Sequence, residues 1–126
     1  MRAVLDTSVL IGADLSRLEG ELAISAVSLA ELSFGVLVTA DAAVRAGRLR
    51  RLTGLQRRFE PLPVDDEVAA SYGELAAAVV AAGRRPRSRA LDLLIAATAH
   101  AHGARLYTRN PRDVAGLGRF VDIVSV

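Results

Sequence analysis

Residues 90–108 read ALDLLIAATAHAHGARLYT, and this stretch decides the fold. Its first part is apolar on almost every side, which predicts a buried helix over 89–101 that ends at Gly103. The short apolar run over 105–108 predicts a strand. A buried helix that leads directly into a strand is typical of proteins in which helices and strands alternate.

The same alternation extends along the rest of the 126 residues. Strands are predicted over 2–5, 21–25, 61–64 and 120–124, helices over 7–18, 27–38, 42–59 and 66–82, and a turn or short helix over 111–117. Gly47 and Gly54 leave open a break or a helical hairpin within 42–59. We therefore expect one domain, residues 1–126, of the α/β class, with helices on both faces of a parallel sheet in three α/β/α layers.

The composition excludes several classes of protein. The chain has no cysteine, which excludes a disulfide scaffold, thiol catalysis and zinc held by cysteine. Its longest apolar runs, such as 93–97, are far shorter than the ~20 residues of a membrane span. An acid at position 6 interrupts any signal-peptide core. We expect a cytoplasmic protein without a membrane partner.

The basic residues are concentrated in two segments. The chain contains no lysine, and its sixteen basic residues are all arginine. Six of them lie within 45–58 and four within 84–89, and neither segment contains an acid. These segments favour contact with phosphate groups. Solvated helix faces, together with a bias of the genome towards arginine, explain the same pattern.

Four acids follow the predicted strands. Asp6 comes directly after the first strand and Glu31 lies about two turns into the helix after the second. Asp92 lies in the first turn of the apolar helix, and Asp113 follows the strand over 105–108. Because ligands of parallel sheets bind at the carboxyl ends of the strands, we expect these acids to converge. Clustered carboxylates cost stability unless a cation is present, and all-oxygen ligands favour Mg²⁺ or Mn²⁺.

Each acid also has a local structural interpretation. Asp6 would cap the following helix, and Ser28 with Glu31 has the spacing of a capping box. Asp92 would complement a helix dipole, and Asn110 would cap a short helix that contains Asp113. None of these local roles requires the four acids to converge.

Other enzyme classes with an acidic pocket lack their required residues here. Receiver domains and haloacid-dehalogenase-like phosphatases need a lysine near the phosphoryl group, and the chain has none. It also lacks a phosphate-binding loop of the GxxxxGK[ST] type, a dinucleotide fingerprint and a serine hydrolase elbow. His100 and His102 are two residues apart on a helix, so they do not share a face.

Four segments resemble the motif regions of the PIN domain family, and more narrowly those of VapC-type ribonuclease toxins. They are LDTSVLI at 5–11, SAVSLAELSFGV at 25–36, ALDLLIAATAHAHG at 90–103 and YTRNPRD at 107–113. They extend over the chain in the order of the family. The resemblance implies a parallel sheet of five strands, a homodimer and a partner antitoxin chain.

The resemblance also implies roles for individual residues. By this resemblance, Asp6, Glu31 and Asp92 correspond to the metal-binding acids, and Asp113 corresponds to the more variable fourth acid. The residues that correspond to those supporting the site by hydrogen bonds are Thr7 or Ser8, Thr108 and Asn110. Asp6, Asp92 and Asp113 would hold Mg²⁺ or Mn²⁺, and Glu31 would orient the attacking water or a second ion. The chain departs from the family at Val114, where a phenylalanine is frequent.

The expected function is that of a metal-dependent endoribonuclease, the toxin of a toxin–antitoxin pair. The segment before Asp92 carries Arg85, Arg87 and Arg89, which we expect to bind the RNA backbone. The alternative is a non-catalytic interaction module, PIN-like or of another α/β type, whose acids hold a metal only structurally.

Overall fold

The computed structural model describes residues 1–12 and 14–126. In these residues, helices and strands follow one another as β1 (Arg2–Leu5), α1 (Thr7–Gly12), β2 (Glu21–Ile24), α2 (Ala26–Val38), α3 (Ala42–Arg58), α4 (Asp66–Ala81), α5 (Ala90–Ala101), β3 (Arg105–Thr108) and β4 (Ile123–Ser125). Single 3-10 turns cover Leu15–Arg17, Pro86–Arg89 and Pro111–Val114. Within the same residues, no helix is long and apolar enough to cross a bilayer.

The sheet is parallel and has the strand order β2-β1-β3-β4. The expectation of five strands is wrong, because the described residues form four. In place of the strand predicted over 61–64, Leu62 makes an isolated parallel bridge to Ser25. Its N–H donates to the carbonyl of Ile24 at 2.8 Å. Pro61 and Pro63 flank this residue and have no N–H on the side that faces away from β2, so no further strand can pair there and the segment remains a short edge contact.

Two apolar layers enclose the sheet, which confirms the three-layer α/β/α architecture. Val4 of β1 points into one layer with Leu75 of α4 and Leu93 of α5. Leu5, the next residue of the same strand, points into the other layer with Val9 of α1. This alternation follows from the two-residue period of a strand, which sends neighbouring side chains to opposite faces.

Several element boundaries differ from those predicted. The helix predicted over 7–18 is α1 followed by a separate 3-10 turn, because Asp14 caps that turn by accepting from the N–H of Ser16. Residue 13 of the predicted helix lies outside the described residues. The last strand begins at Ile123 rather than at Phe120, whose N–H donates to Leu117 in a turn at 2.9 Å. The third helix, α3, is continuous through both glycines.

Helix α5 is the central element of the fold. Six of its residues are buried, and it packs against α4, β1 and β3. Its first turn reaches the carboxyl edge of the sheet, where it carries Asp92. Gly103 follows its last turn with a φ of +60°, a conformation that glycine adopts without strain. The helix therefore links the core of the protein to the edge at which the acids lie.

Candidate active site

Asp6 lies where β1 ends and α1 begins. Its N–H donates to the carbonyl of Tyr107 at 3.0 Å, which holds it beside β3. Its Oδ1 accepts from the hydroxyl of Ser8 at 2.5 Å and from the N–H of Val9 at 3.2 Å. The capping role predicted for Asp6 is therefore present, but it engages only Oδ1. Among the described residues no donor occupies Oδ2, which leaves this oxygen for a ligand.

Glu31 lies on α2 and faces the start of α1. Its Oε1 accepts from the hydroxyl of Thr7 at 2.6 Å, and the same hydroxyl lies 3.1 Å from that of the buried Ser28. The capping-box interpretation of Ser28 and Glu31 is wrong, because Ser25 is the residue that caps α2. Glu31 is thus held by a contact across 24 positions of sequence rather than by its own helix.

Asp92 and Asp113 have the same basic partner, Arg89. The guanidinium of Arg89 lies 3.2 Å from Asp113 Oδ1 and 3.8 Å from Asp92 Oδ2, and both carboxylates are about two-thirds buried. Asp113 belongs to the 3-10 turn Pro111–Val114, which Asn110 precedes without capping it by its side chain. This arrangement places one positive charge beside two negative charges, which it offsets only in part.

The four acids act on one another. Burial raises the pKa of the Asp92 carboxyl above its ordinary value, and the negative charges of Asp113 and Glu31 raise it further. Arg89 opposes this effect, and Asp6 adds a smaller contribution in the same direction as the other acids. Four residues that are widely separated in the sequence therefore converge at the carboxyl edge of the sheet. A carboxyl group whose pKa is raised by burial and by neighbouring negative charges is typical of a functional site.

The smaller polar residues connect the parts of this edge. The hydroxyl of Ser8 donates to Asp6 and accepts from the N–H of Arg109 at 3.0 Å, so it ties the end of β1 to the end of β3. Thr108 is buried, and its Oγ1 accepts from the N–H of Asn110 at 3.0 Å. Sequence reasoning named Ser28 only as a helix cap. Its contact with Thr7 depends on the packing of α1 against α2, which no local signal reveals.

The predicted RNA-binding arginines lie in different environments. Arg89 pairs with the acids, whereas Arg85 lines a cleft of about 370 Å³ beside them. Arg87 is exposed and is not among the residues that line this cleft. Two arginines that sequence reasoning did not single out, Arg84 and Arg112, also line the cleft. The signal for Arg84 was present, because it belongs to the basic segment 84–89.

The donor set fits a hydrated divalent cation. In the described part of the chain, no three acid or histidine side chains are close enough to hold one ion together. Mg²⁺ does not require such a cage, because it keeps several waters and binds proteins through one or two carboxylates. The side chains that face one another here offer only oxygen, the ligand that Mg²⁺ and Mn²⁺ prefer. They match the expected ion in chemistry and in charge.

Comparisons with known proteins agree with this geometry. The family model of the PIN domain matches residues 3–116. Ribonuclease VapC4 of Mycobacterium tuberculosis is 37% identical over 131 residues, which cover 99% of this chain and 97% of that protein. The structure of VapBC-5, a member of the VapBC family of toxin–antitoxin systems from the same organism, has a TM-score of 0.88 and 38% identity, with coverage of 99% and 98%. VapBC2 from Rickettsia felis, solved with a DNA fragment from their promoter, has a TM-score of 0.79 and 25% identity, with coverage of 99% and 98%.

The matched span covers most of the chain, which therefore belongs to the PIN domain family. Its similarity to Ribonuclease VapC4 along almost its whole length assigns it to the VapC members of that family. The resemblance read from the four motif segments is confirmed.

Proposed function

We propose that this chain is an endoribonuclease that depends on Mg²⁺ or Mn²⁺ and acts as the toxin of a toxin–antitoxin pair. The observation that carries the proposal is the convergence of Asp6, Glu31, Asp92 and Asp113 at one edge of the sheet, where one arginine offsets their charge only in part. The relatives that bear the name ribonuclease support the choice of RNA as substrate.

The residues that would hold the cation, directly or through its bound waters, are Asp6, Asp92 and Asp113. A bound divalent cation lowers the pKa of water towards neutrality and offsets the charge of a phosphodiester. Ser8 fixes the carboxylate of Asp6, which leaves Oδ2 as its open ligand atom. Asp92 and Asp113 come from separate elements and share Arg89, so a cation held by them would add positive charge to what Arg89 supplies.

Glu31 would orient the attacking water. The hydroxyl of Thr7 occupies Oε1, so Oε2 remains to accept a proton from a water in line with the phosphorus. Arg89 lies within reach of the same region and would offset the charge that develops on the phosphate oxygens. No cysteine or lysine is needed for this chemistry, and the chain has neither.

The proposed protein partners are an antitoxin and a second copy of this chain. The solved relative is a member of a toxin–antitoxin family, which supports the first. Ile11 of α1 is exposed and lines a groove together with Glu31, and Phe34, Leu37 and Val38 are exposed apolar side chains further along α2. Such a surface suits an apolar segment of an antitoxin. We expect a homodimer at micromolar concentration, and a sedimentation measurement that finds only monomer would contradict this.

The test of the proposed function is cleavage of a labelled single-stranded RNA. The protein should cut this RNA in Mg²⁺ or Mn²⁺ and lose the activity in excess chelator, and added metal should restore it. The Asp6→Asn variant purified in the same way controls for a contaminating nuclease. Full cleavage in chelator would exclude the metal-dependent mechanism, and absence of cleavage in either metal would favour the non-catalytic interaction module.

A further inference from the structure

A cleft of about 370 Å³ opens beside the acids, on the side of Asp113. It lies between the end of α4, the turn Pro86–Arg89, the start of α5 and the turn Pro111–Val114. Its size lies at the lower end of the range of small-molecule sites, about 300–1,000 Å³. The acid site described above does not use this space.

The cleft has a positive rim. Among the described residues that line it, four are arginines (Arg84, Arg85, Arg89 and Arg112) and one, Asp113, is an acid. Arg84 donates to the carbonyl of Ala115 at 3.2 Å, which ties the basic segment to the opposite wall. This excess of guanidinium groups favours an anionic occupant, and guanidinium groups also stack on flat aromatic rings.

The floor of the cleft is apolar. It contains Leu93, Val114 and Leu117, all of them almost fully buried in the core. A free phosphate or an acidic peptide would gain little from this floor. A nucleotide matches both parts, because its base offers a flat apolar face and its phosphate a negative charge.

The cleft and the acid site share a wall. Asp113 lines the cleft, and its carboxylate lies 3.2 Å from Arg89, which also lines the cleft and lies 3.8 Å from Asp92. A nucleotide whose base lies on the apolar floor would thus have its phosphate next to the acids.

We propose that this cleft binds the nucleotide adjacent to the cleaved phosphodiester of a single-stranded RNA, with the base on the apolar floor and its phosphate against the arginines. This inference rests on the proposed function, since it makes the cleft a subsite of the same nuclease. A base can enter the cleft only if it is unstacked, so the subsite selects single-stranded RNA.

The test compares two probes in chelator, where the proposed cleavage is absent. One is a fluorescein-labelled octauridylate, and the other is the same ribose–phosphate chain without bases. The parent protein should bind octauridylate about three- to tenfold more tightly, because an aliphatic floor contributes less to the packing of a base than an aromatic ring does. Ser88→Trp fills the cleft without changing the charge and should remove most of this difference. Ser16→Trp, which places the same residue in the exposed 3-10 turn Leu15–Arg17, should preserve it.

A second variant keeps the test decisive if Ser88→Trp does not fold. Arg112→Ala should weaken the binding of octauridylate several-fold, whereas Arg119→Ala removes the same charge at the amino edge of the sheet, beside Phe120, and should not. Equal affinity of the parent for both probes, or an unchanged difference in the folded Ser88→Trp or Arg112→Ala variant, would overturn the proposal. Binding of a labelled octaglutamate peptide that Ser88→Trp abolishes would assign the cleft to an acidic peptide instead.

The subsite and the nuclease can fail separately. Cleavage that is lost in Asp6→Asn, with no discrimination between the two probes, would leave the proposed function standing without the subsite. Discrimination that Ser88→Trp removes, in a protein that cleaves in neither metal, would retain the RNA-binding cleft and remove the enzyme.

Discussion

The amino and carboxyl edges of the sheet differ in how their acids are paired with basic side chains. At the amino edge, two acids each have a basic partner of their own: Arg105 lies 2.9 Å from Asp122, and the ring of His100 lies 3.8 Å from Glu74 and 2.8 Å from the hydroxyl of Ser71. At the carboxyl edge, four acids face one another around Arg89. Each of these acids at the amino edge thus has its own basic partner, whereas the four acids at the carboxyl edge leave an excess of negative charge.

This difference distinguishes charged residues that pair within the fold from charged residues that are available to a ligand. An exposed pair such as Arg105 with Asp122 contributes about 0–1 kcal/mol to folding and needs no further partner. Unbalanced carboxylates in a half-buried site oppose folding and are retained where a ligand will compensate them. This contrast supports the proposal of a cation at the carboxyl edge and gives no reason to expect one at the amino edge.

The largest expected effect is on cleavage. Asp6→Asn and Asp92→Asn should each lower the rate by at least ~10²-fold, because each removes a ligand of the catalytic cation. Asp113→Asn should cost less, since it occupies the more variable position of the family and Val114 follows it. Asp122→Asn at the amino edge should leave the rate unchanged. Initial rates on one labelled RNA measure all four variants, and a dominant loss in Asp113→Asn would contradict this ranking.

The next effect is on RNA binding. Replacing Arg85, Arg87 and Arg89 by alanine should weaken binding and lower the slope of log K against log salt by ~0.7 for each phosphate group that the protein no longer neutralises. Replacing the exposed Arg105 and Arg119 at the amino edge should leave the slope unchanged. Binding titrations at several salt concentrations give both slopes. An unchanged slope in the first variant would mean that these arginines only solvate the surface.

A smaller effect is expected on the free energy of unfolding, and it should have opposite signs when an acid is neutralised at the carboxyl edge and at the amino edge. The folded protein holds the pKa of Asp92 above its value in the unfolded chain, so folding loses free energy as the pH rises through that interval. At neutral pH and without metal, Asp92→Asn should therefore stabilise the protein by about 0.5–1 kcal/mol after solvent screening. Asp122→Asn should destabilise it slightly, by less than about 1 kcal/mol.

Denaturant unfolding at pH 7 in chelator measures both changes, and repeating it near pH 4 should shrink the gain of Asp92→Asn. A clear loss of stability in Asp92→Asn would instead identify this acid as a partner of the helix dipole, which contributes ~0.3–1 kcal/mol.

The smallest effect is a shift of the melting temperature by metal. The proposed Mg²⁺ site exists only in the folded protein, so Mg²⁺ should raise the melting temperature of the parent by an amount that grows with its concentration. Asp92→Asn should respond much less, and Asp122→Asn as much as the parent. Thermal melts with and without Mg²⁺ provide the comparison. Equal shifts in the parent and in Asp92→Asn would place the cation elsewhere.

The sequence predicted the fold well because the decisive signals are local. The apolar run of α5 and the short strands β1, β2 and β3 follow from the local hydrophobic pattern alone. The prediction of a fifth strand over 61–64 was wrong: Leu62, between two prolines that suit only a sheet edge, makes a single bridge to Ser25. The end of α1 was missed because Asp14 starts a new turn where helical spacing continues.

The convergence of the acids was predictable, but their partners were not. Parallel topology alone brings Asp6 and Asp113 to one edge. The contact of Glu31 with Thr7 across α1 and α2 depends on tertiary packing, so the capping-box spacing of Ser28 was misleading. For the same reason, sequence reasoning assigned Arg89 to the RNA backbone and gave no sign that it bridges two carboxylates.

The position of Arg89 has a consequence for how the protein is made. Its guanidinium lies between Asp92 and Asp113 and so provides an internal counter-charge during biosynthesis. A newly synthesised chain can complete its core before it encounters any metal ion, because the half-buried carboxylates are already partly compensated. In the proposed mechanism, loading with metal would therefore be a separate event from folding, and the supply of the ion would set when a finished molecule becomes active rather than how many molecules are formed.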